Sequence, residues 1–371
     1  MRIVVASGFE AGSMAAHAIN TIKMAEGFAM GGHDVLLACR DQGTGNMPEE
    51  KLARQYALGR TSHTVQWLQL PSVRNGRILD QHWDFALQLV PVLLRFRPHF
   101  VYSRSYITPW LTSFFVPTAA ESHAHPGTDS KPFKRFVCGT AHRQFLSLTT
   151  ISSVLGDAFT KIGVSSDKIL ILPDAVDLHV FMPPVSLPAS PYTGRFNVVY
   201  SGHLYDYKGI PTIIAAAELM PEATFHLVGG LVEDMARVYS VIADKRLNNV
   251  VLHGHKDRVE LPPYLWHADV LLLPPSNTHP SAKWTSPVKM GEYLASGRPL
   301  ISSDIPALRH WLKDKETLFV TPDDGAALAA GIRWVLDHQH EAREMASRGQ
   351  ELAQSLSYSQ RAQKILHFCG L

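Results

Sequence analysis

The stretch from Trp284 to Asp304, WTSPVKMGEYLASGRPLISSD, decides how the rest of the chain is read. It runs as loop, helix, turn, strand and loop. Ser286 before Pro287 has the pattern of an N-cap followed by the residue best tolerated at the first helical position. Gly297 ends that helix, and Pro299, Leu300 and Ile301 make a short apolar run that suits a buried parallel strand. A helix start in such a unit aims unpaired backbone N–H groups and a positive dipole end at one point, which suits a phosphate. Glu292 falls one turn further in, on the face of Val288, within reach of a ribose or sugar hydroxyl. An ordinary capped helix, with Lys289 and Glu292 as a solvated i,i+3 pair, fits the same spacing. The remainder of the chain has to choose.

At 371 residues the chain exceeds the size at which one core stops growing, so two domains are expected. A hydrophobic fraction of 46% with 18% charged residues is that of a folded globular protein. The net charge of +2, without a long Lys/Arg block, argues against a nucleic-acid partner. Cys39, Cys138 and Cys369 are few and far apart with no CxxC, which fits a reduced, cytoplasmic protein. MRIVVASGFEAG is too short in its apolar run for a signal-peptide core and reads as a first strand. Pro91 and Pro117 interrupt the most apolar stretches, so no membrane span is expected.

The opening of the chain alternates strand, helix and strand: Arg2–Ser7, a helix from about Ala15 to Met30, and Asp34–Cys39. Its first turn is GFEAG rather than GxGxxG, so the dinucleotide fingerprint is missing. The alternation continues through strands at Thr64–Leu68, Phe100–Ser103, Ala119–Glu121, Leu148–Ile151 and Ile169–Leu172, all read as one doubly wound sheet. It lapses over HVFMPPVSLPASPYTG, a Pro- and Ser-rich segment that reads as a linker, and restarts at FNVVYS. Strands at Thr224–Val228, Asn249–Gly254, Ala268–Leu273, Leu300–Ser302 and Thr317–Val320 follow.

Two α/β domains place ligands at the carboxyl ends of their strands. In the second half these ends carry GHLYDYKG, GG, HKD and PSNTHP, followed by WTSPVKMGE. Lys208 stands six residues after Gly202 on the first of these loops; alone it is a surface lysine, but beside the Ser286–Pro287 helix start it suits a diphosphate.

VVYSGHLYDYKG, FHLVGG, VLHGH with ADVLLLP, and SPVKMGEYLASGRPLISSD come in an order that resembles the donor domain of the retaining glycosyltransferases of family 4, the glycosyl transferases group 1. SMAAHAINTIKMAEGFAMGGHDVLLACR, KILILPDAVDLHVF and YSQRAQKIL resemble that family's first helix and second strand, its domain-closing strand and its last helix. The resemblance implies an α/β fold of GT-B type, two Rossmann-like doubly wound parallel-sheet domains facing across a cleft. The expected boundaries are 1–185 for the acceptor-side domain, 186–196 for the linker, 197–355 for the donor-binding domain, and 356–371 for a helix crossing back to the first.

Residue by residue, the resemblance implies that Lys208 binds the donor diphosphate and Glu292 the ribose, while Gly229, Gly230, His255 and Lys256 border the nucleobase. Backbone amides near Ser286, Pro287, Val288 and Lys289 would meet the distal phosphate. His123 of ESHAH would stand beside the donor sugar, and Gly12 near the phosphates. His123 with His125 also reads as a metal pair, but no ligand cluster or carboxylate arrangement in the sequence completes it, so no metal is expected. No Asp-x-Asp triplet occurs, in keeping with a metal-independent reaction.

Two positions depart from the family pattern. His203 stands where an arginine is usual, and Trp284 where the first of two glutamates would read the sugar; whether Trp284 stacks on a sugar or packs in the core stays open. The resemblance implies a UDP- or GDP-sugar and a saccharide or lipid-linked acceptor as partners. An impaired sugar-nucleotide-binding protein is the alternative from those departures. A sugar-nucleotide epimerase is another, weakened by a poverty of carboxylates near His123. Lys131, Phe133, Lys134, Arg135 and Phe136 mix basic and aromatic residues as a peripheral membrane patch would, or as an exposed helix face does.

Overall fold

Ile3 and Val5 alternate with Val4 and Ala6 along the first strand, and all four are fully buried, so both faces of that strand are covered. Such two-sided burial is what a parallel sheet with helices on each face requires. The computed structural model describes residues 1–43, 45–59, 65–127 and 130–371, and divides the chain into two compact units: residues 1–175 with 357–371, and residues 176–356.

In the first unit, among the described residues, β1 (Arg2–Glu10), β2 (Asp34–Arg40) and β3 (Val65–Leu70) precede a small hairpin of β4 (Val73–Arg74) and β5 (Arg77–Ile78). Then come β6 (Phe100–Ser103), β7 (Thr118–Ser122), β8 (Phe145–Thr150) and β9 (Ile169–Ile171). The main sheet has the order β3-β2-β1-β6-β7-β8-β9 and is parallel throughout. Thr64, expected to open the third strand, lies outside the described residues. One face carries the helix Ala16–Met30 and the terminal helix Tyr358–Phe368. These two approach so closely that a Cβ on Gly27 would stand 2.5 Å from the carbonyl oxygen of Tyr358. The other face holds Phe85, Leu89 and Leu93 of the helix Trp83–Phe96.

In the second unit, again among the described residues, β10 (Asn197–Ser201), β11 (Thr224–Val228), β12 (Val250–Gly254), β13 (Val270–Leu273), β14 (Leu300–Ser303) and β15 (Leu318–Val320) form a parallel sheet. Its order is β12-β11-β10-β13-β14-β15. Val198 and Tyr200 pack to one side, with Ile213 and Leu328; Val199 packs to the other, with Met290 and Leu294. Reversal of the strand order at β10 makes the ends of β10 and β13 the topological switch point, where open sheets bind ligands.

Three expectations change. The segment read as a linker is no free tether: Leu178–Phe181 is helical, and Val176, Phe181 and Tyr192 enter the core of the second unit, so that unit starts at Val176 rather than at 197. The helix after Trp284 covers Val288–Ala295 with Pro287 as its cap residue, one position later than Ser286. Proline has no side-chain acceptor to offer there, so the cap contributes fixed φ rather than a hydrogen bond. Gly297, at φ +66°, follows the helix as expected. Finally, Phe133 and Phe136 turn inward onto Phe145 and Phe159, and Arg135 lies 5.2 Å from the centre of the Trp110 ring. The basic and aromatic halves of that run therefore do not form one surface patch.

Candidate functional site

The second unit gathers its chemistry at the end of β10. Ser201 ends the strand, Gly202 takes φ +123°, and the chain passes through His203, Leu204 and Tyr205 into a short 3-10 turn, Asp206–Lys208. Gly209 at φ +90° then starts the helix Ile210–Glu218. A Cβ on Gly209 would fall 1.8 Å from the carbonyl oxygen of Pro274, so the loop after β13 is pressed against this turn. The helix Val288–Ala295 is fastened to the same strand end: Tyr293 Oη accepts the Ser201 N–H at 2.7 Å. That bond fixes where Lys289 and Glu292 of the same helix are delivered.

Lys289 Nζ sits 3.9 Å above the centre of the Tyr200 ring. Lys208 Nζ lies 5.0 Å from the centre of the Tyr207 ring. Tyr200, Tyr207, Lys208, Ser281, Pro287 and Lys289 line one cavity. Burial lowers the pKa of Lys208, and burial with the Lys208 charge pushes Lys289 down to about 7 despite Glu292 nearby. His203 is held below the ordinary imidazole range by burial first, then by Lys289, with Asp234 opposing and Lys208 adding to the fall. It is a neutral ring in a stack: His203 on Tyr205 at 5.0 Å, Tyr205 on Tyr207 at 5.5 Å, Tyr207 on His279 at 4.3 Å. A neutral His203 does not replace the arginine of the family pattern.

Glu292 is not half of a solvated pair with Lys289. Its side chain is buried, and Arg258 Nη1 donates to Glu292 Oε1 at 3.0 Å. Arg258 was not singled out from the sequence; its arrival depends on the fold of the loop after β12 and has no local signal. Arg258 also lies 4.8 Å from the centre of the Phe181 ring. Gly229 and Gly230 follow β11, and a Cβ on Gly229 would stand 2.6 Å from the Gly202 carbonyl oxygen, so these two loops lie together. His255 is exposed, 3.8 Å from Asp257, and Lys256 leans toward Tyr264, 5.6 Å from its ring centre. Trp284 is partly exposed, so it is not a core residue.

In the first unit His123 follows β7. Its Nε2 lies 2.6 Å from Glu121 Oε1 and its Nδ1 3.6 Å from Asp174 Oδ1. The poverty of carboxylates expected around His123 is therefore corrected: Glu121 and Asp174 flank it, and the three donor atoms lie within 4.8 Å of one another. His125 does not join them; it is exposed, with Nδ1 2.9 Å from the Pro126 carbonyl oxygen. Glu121 also accepts from Tyr102 Oη and, at 2.9 Å, from Arg361 Nη1 of the terminal helix, while Arg104 Nη1 lies 3.6 Å away. Burial would raise the Glu121 pKa, but Arg361 and His123 outweigh it and hold it low. Burial pushes Arg104 down to about 10. Two guanidiniums already answer these two carboxylates, so a cation would enter against Arg104 and Arg361. Gly12, at φ +84°, lies on the loop after β1, where Gln55 Nε2 donates to its carbonyl oxygen at 2.5 Å.

Comparison with known proteins places these features in a family context. Residues 195–338 match the family model described as glycosyl transferases group 1. A curated relative from Escherichia coli K12, named as a candidate colanic acid biosynthesis glycosyltransferase, WcaL, is 30% identical over 187 residues, 48% of this chain and 45% of its own length. The chain thus spans about half the length of the relative it matches. Among solved structures, Anabaena HepE in complex with UDP superimposes with a TM-score of 0.73 over 100% of both chains at 15% identity. Sucrose-phosphate synthase from Thermosynechococcus elongatus gives 0.69 at 19% identity over 99% and 97% of the two chains. A Rickettsia africae glycosyltransferase gives 0.73 at 13% identity over 99% and 97%. These likenesses establish the fold, two Rossmann-like parallel-sheet domains of GT-B type.

Proposed function

We propose that this chain, whose residues 195–338 match the glycosyl transferases group 1, is a retaining glycosyltransferase of family 4 that works without a metal ion. It moves a hexose from a UDP- or GDP-sugar to a saccharide or lipid-linked acceptor in glycan biosynthesis, in the cytoplasm. The observation that carries the reading is the meeting of Lys208 and Lys289 in one cavity, with the buried Glu292 held by Arg258 on the helix that delivers Lys289. In the transfer, the bond from the anomeric carbon to the diphosphate oxygen breaks and its electron pair leaves on the phosphate. The acceptor hydroxyl oxygen forms the new bond and gives up its proton to the departing phosphate oxygen. Charge grows on the leaving phosphate, so fixed positive groups there lower the barrier most. Lys208 and the start of the helix Val288–Ala295 provide them, and Glu292 holds the ribose. The resemblance assigns His123 to the donor sugar. A named relative in polysaccharide biosynthesis supports the class of product.

The epimerase alternative loses ground for a new reason. Glu121 does stand beside His123, but its side chain has no solvent exposure and cannot reach a sugar carbon as acid or base. Incubating the purified protein with a panel of UDP-, GDP- and ADP-sugars, and following product by mass spectrometry, tests the proposal. One donor should be consumed equally with and without chelator, and Lys208→Ala and Glu292→Ala should each abolish the turnover. Full activity in both variants refutes it. Nucleoside diphosphate binding with no turnover of any donor favours the impaired binding protein.

A further inference from the structure

Lys208 and Lys289 are two ammonium groups in one cavity, and among the described residues neither takes part in a hydrogen bond or an ion pair. Like charges brought together out of water repel each other and lose hydration, and an anion placed between them offsets both costs. Lys289 is aimed with particular care. A Cβ on Gly202 would stand 2.6 Å from its Nζ, so a side chain at the end of β10 would displace the ammonium from the strand end. The groups that face it are the Tyr200 ring of β10, Lys208 from the 3-10 turn, neutral His203 from the intervening loop, and Glu292 on its own helix. Glu292 is turned away to Arg258.

We infer that the Lys289 side chain, and not only the backbone at the start of its helix, is the second cation of the diphosphate site, supplying with Lys208 the charge that His203 does not carry. This rests on the proposed donor class. It also carries a proton-coupling consequence. In the free protein above pH 7 much of Lys289 is neutral, because its pKa lies at about 7. A bound polyphosphate favours the charged form, so the lysine recovers its proton on binding.

Isothermal titration of UDP, GDP and inorganic pyrophosphate at pH 8, run in Tris and in HEPES, reads that proton from the difference in apparent enthalpy. Wild-type protein should take up close to one proton per UDP or GDP bound, on the order expected for a group with a pKa about one unit below the working pH. Lys289→Met should abolish the uptake and weaken binding about tenfold or more, the loss of a charge-assisted contact. Gly202→Ala, which keeps the charge but displaces the ammonium, should weaken binding in the same sense. Wild-type affinity and unchanged proton uptake in Lys289→Met overturn the inference. Loss in the variant confined to pyrophosphate, with no nucleoside diphosphate bound by wild type, upholds the two-lysine site and removes the sugar-nucleotide reading. Failure of wild type to bind any of the three removes both.

Discussion

Arg258 Nη1 donates to Glu292 Oε1 at 3.0 Å, and the two side chains are only 9% and 8% exposed. The bond crosses 34 residues of sequence and settles what kind of residue Glu292 is. A buried carboxylate held on one oxygen by a guanidinium keeps its other oxygen in a fixed direction. Removing the cation strands the anion, at a cost of about 3–5 kcal/mol. Arg258→Met should therefore lower stability by that order in urea unfolding. The double variant Arg258→Met/Glu292→Gln should recover much of the loss, since no unpaired charge remains. Additive losses in the cycle would mean that the two residues act independently.

Gly209 and Gly32 separate two costs of a side chain. Both have positive φ, +90° and +77°, so alanine at either position is strained by about 1–2 kcal/mol. Around Gly32 there is open space, whereas a Cβ at Gly209 would collide with the backbone carbonyl of Pro274. The Gly209→Ala loss should exceed the Gly32→Ala loss by about 1–3 kcal/mol, the usual range for overpacking. It should also lower affinity for nucleoside diphosphates, because Lys208 is the neighbouring residue. Equal melting temperatures for the two variants would contradict the close approach of the β10 and β13 loops.

A histidine pair sets an acid limit on the second unit. His226 Nδ1 lies 2.9 Å from His253 Nε2 and His226 Nε2 lies 3.1 Å from Asn197 Oδ1, while Tyr192 stacks on His226 at 4.1 Å. Burial, with His253 adding to it, pushes His226 down to about 4. The ring is neutral in the folded state and would take a proton near 6.5 when unfolded. Its contribution to stability is full above about pH 6.5 and is lost as the pH falls from there to about 4. His226→Gln should flatten the pH dependence of the urea midpoint over that window. An unchanged profile in the variant would assign the acid limit elsewhere.

The strands were legible because a parallel sheet covered on both faces writes itself as short apolar runs. Phe100–Ser103 and Thr224–Val228 have the limits that FVYS and TFHLV predict. The helix Trp83–Phe96 runs through Pro91 and buries Phe85, Leu89 and Leu93. The segment 179–194 misled because its prolines suggest a tether, while Phe181 and Tyr192, spaced irregularly between them, carry it into the core. Partners of buried charges were the least visible. Arg258 stands in HKDR, where it looks like one more solvated residue, and Arg361 meets Glu121 across 240 residues. Nothing local in either stretch announces the partner, because the fold alone brings the two together. The alternative left open by i,i+3 spacing, a Lys289–Glu292 pair, is closed by Arg258, which takes the carboxylate.

Arg361 ties the terminal helix Tyr358–Phe368 to the charge cluster of the first unit. Its Nη1 donates to Glu121 at 2.9 Å and its Nε to the Pro173 carbonyl oxygen at 3.0 Å, beside Asp174. Glu121 is the residue that holds His123, so a substitution more than two hundred positions away should be read at the histidine. Among the groups that keep Glu121 ionised against its own burial, Arg361 contributes most. A carboxylate whose pKa is depressed by folding stabilises the protein above its unfolded value, and that contribution is lost as the pH falls through the folded value. Without the guanidinium the folded value rises, and the loss moves to higher pH. Arg361→Met should therefore cost about 3–5 kcal/mol near neutrality and bring acid unfolding to a higher pH than in wild type. Arg361→Lys keeps a charge but not the second donor to Pro173, and should fall between the two. The His123 ring resonances, followed by NMR over the same pH range, should shift in Arg361→Met, because a protonated Glu121 no longer accepts from Nε2 as an anion. Ring resonances and an acid midpoint identical to those of wild type would show that Glu121 is held without Arg361.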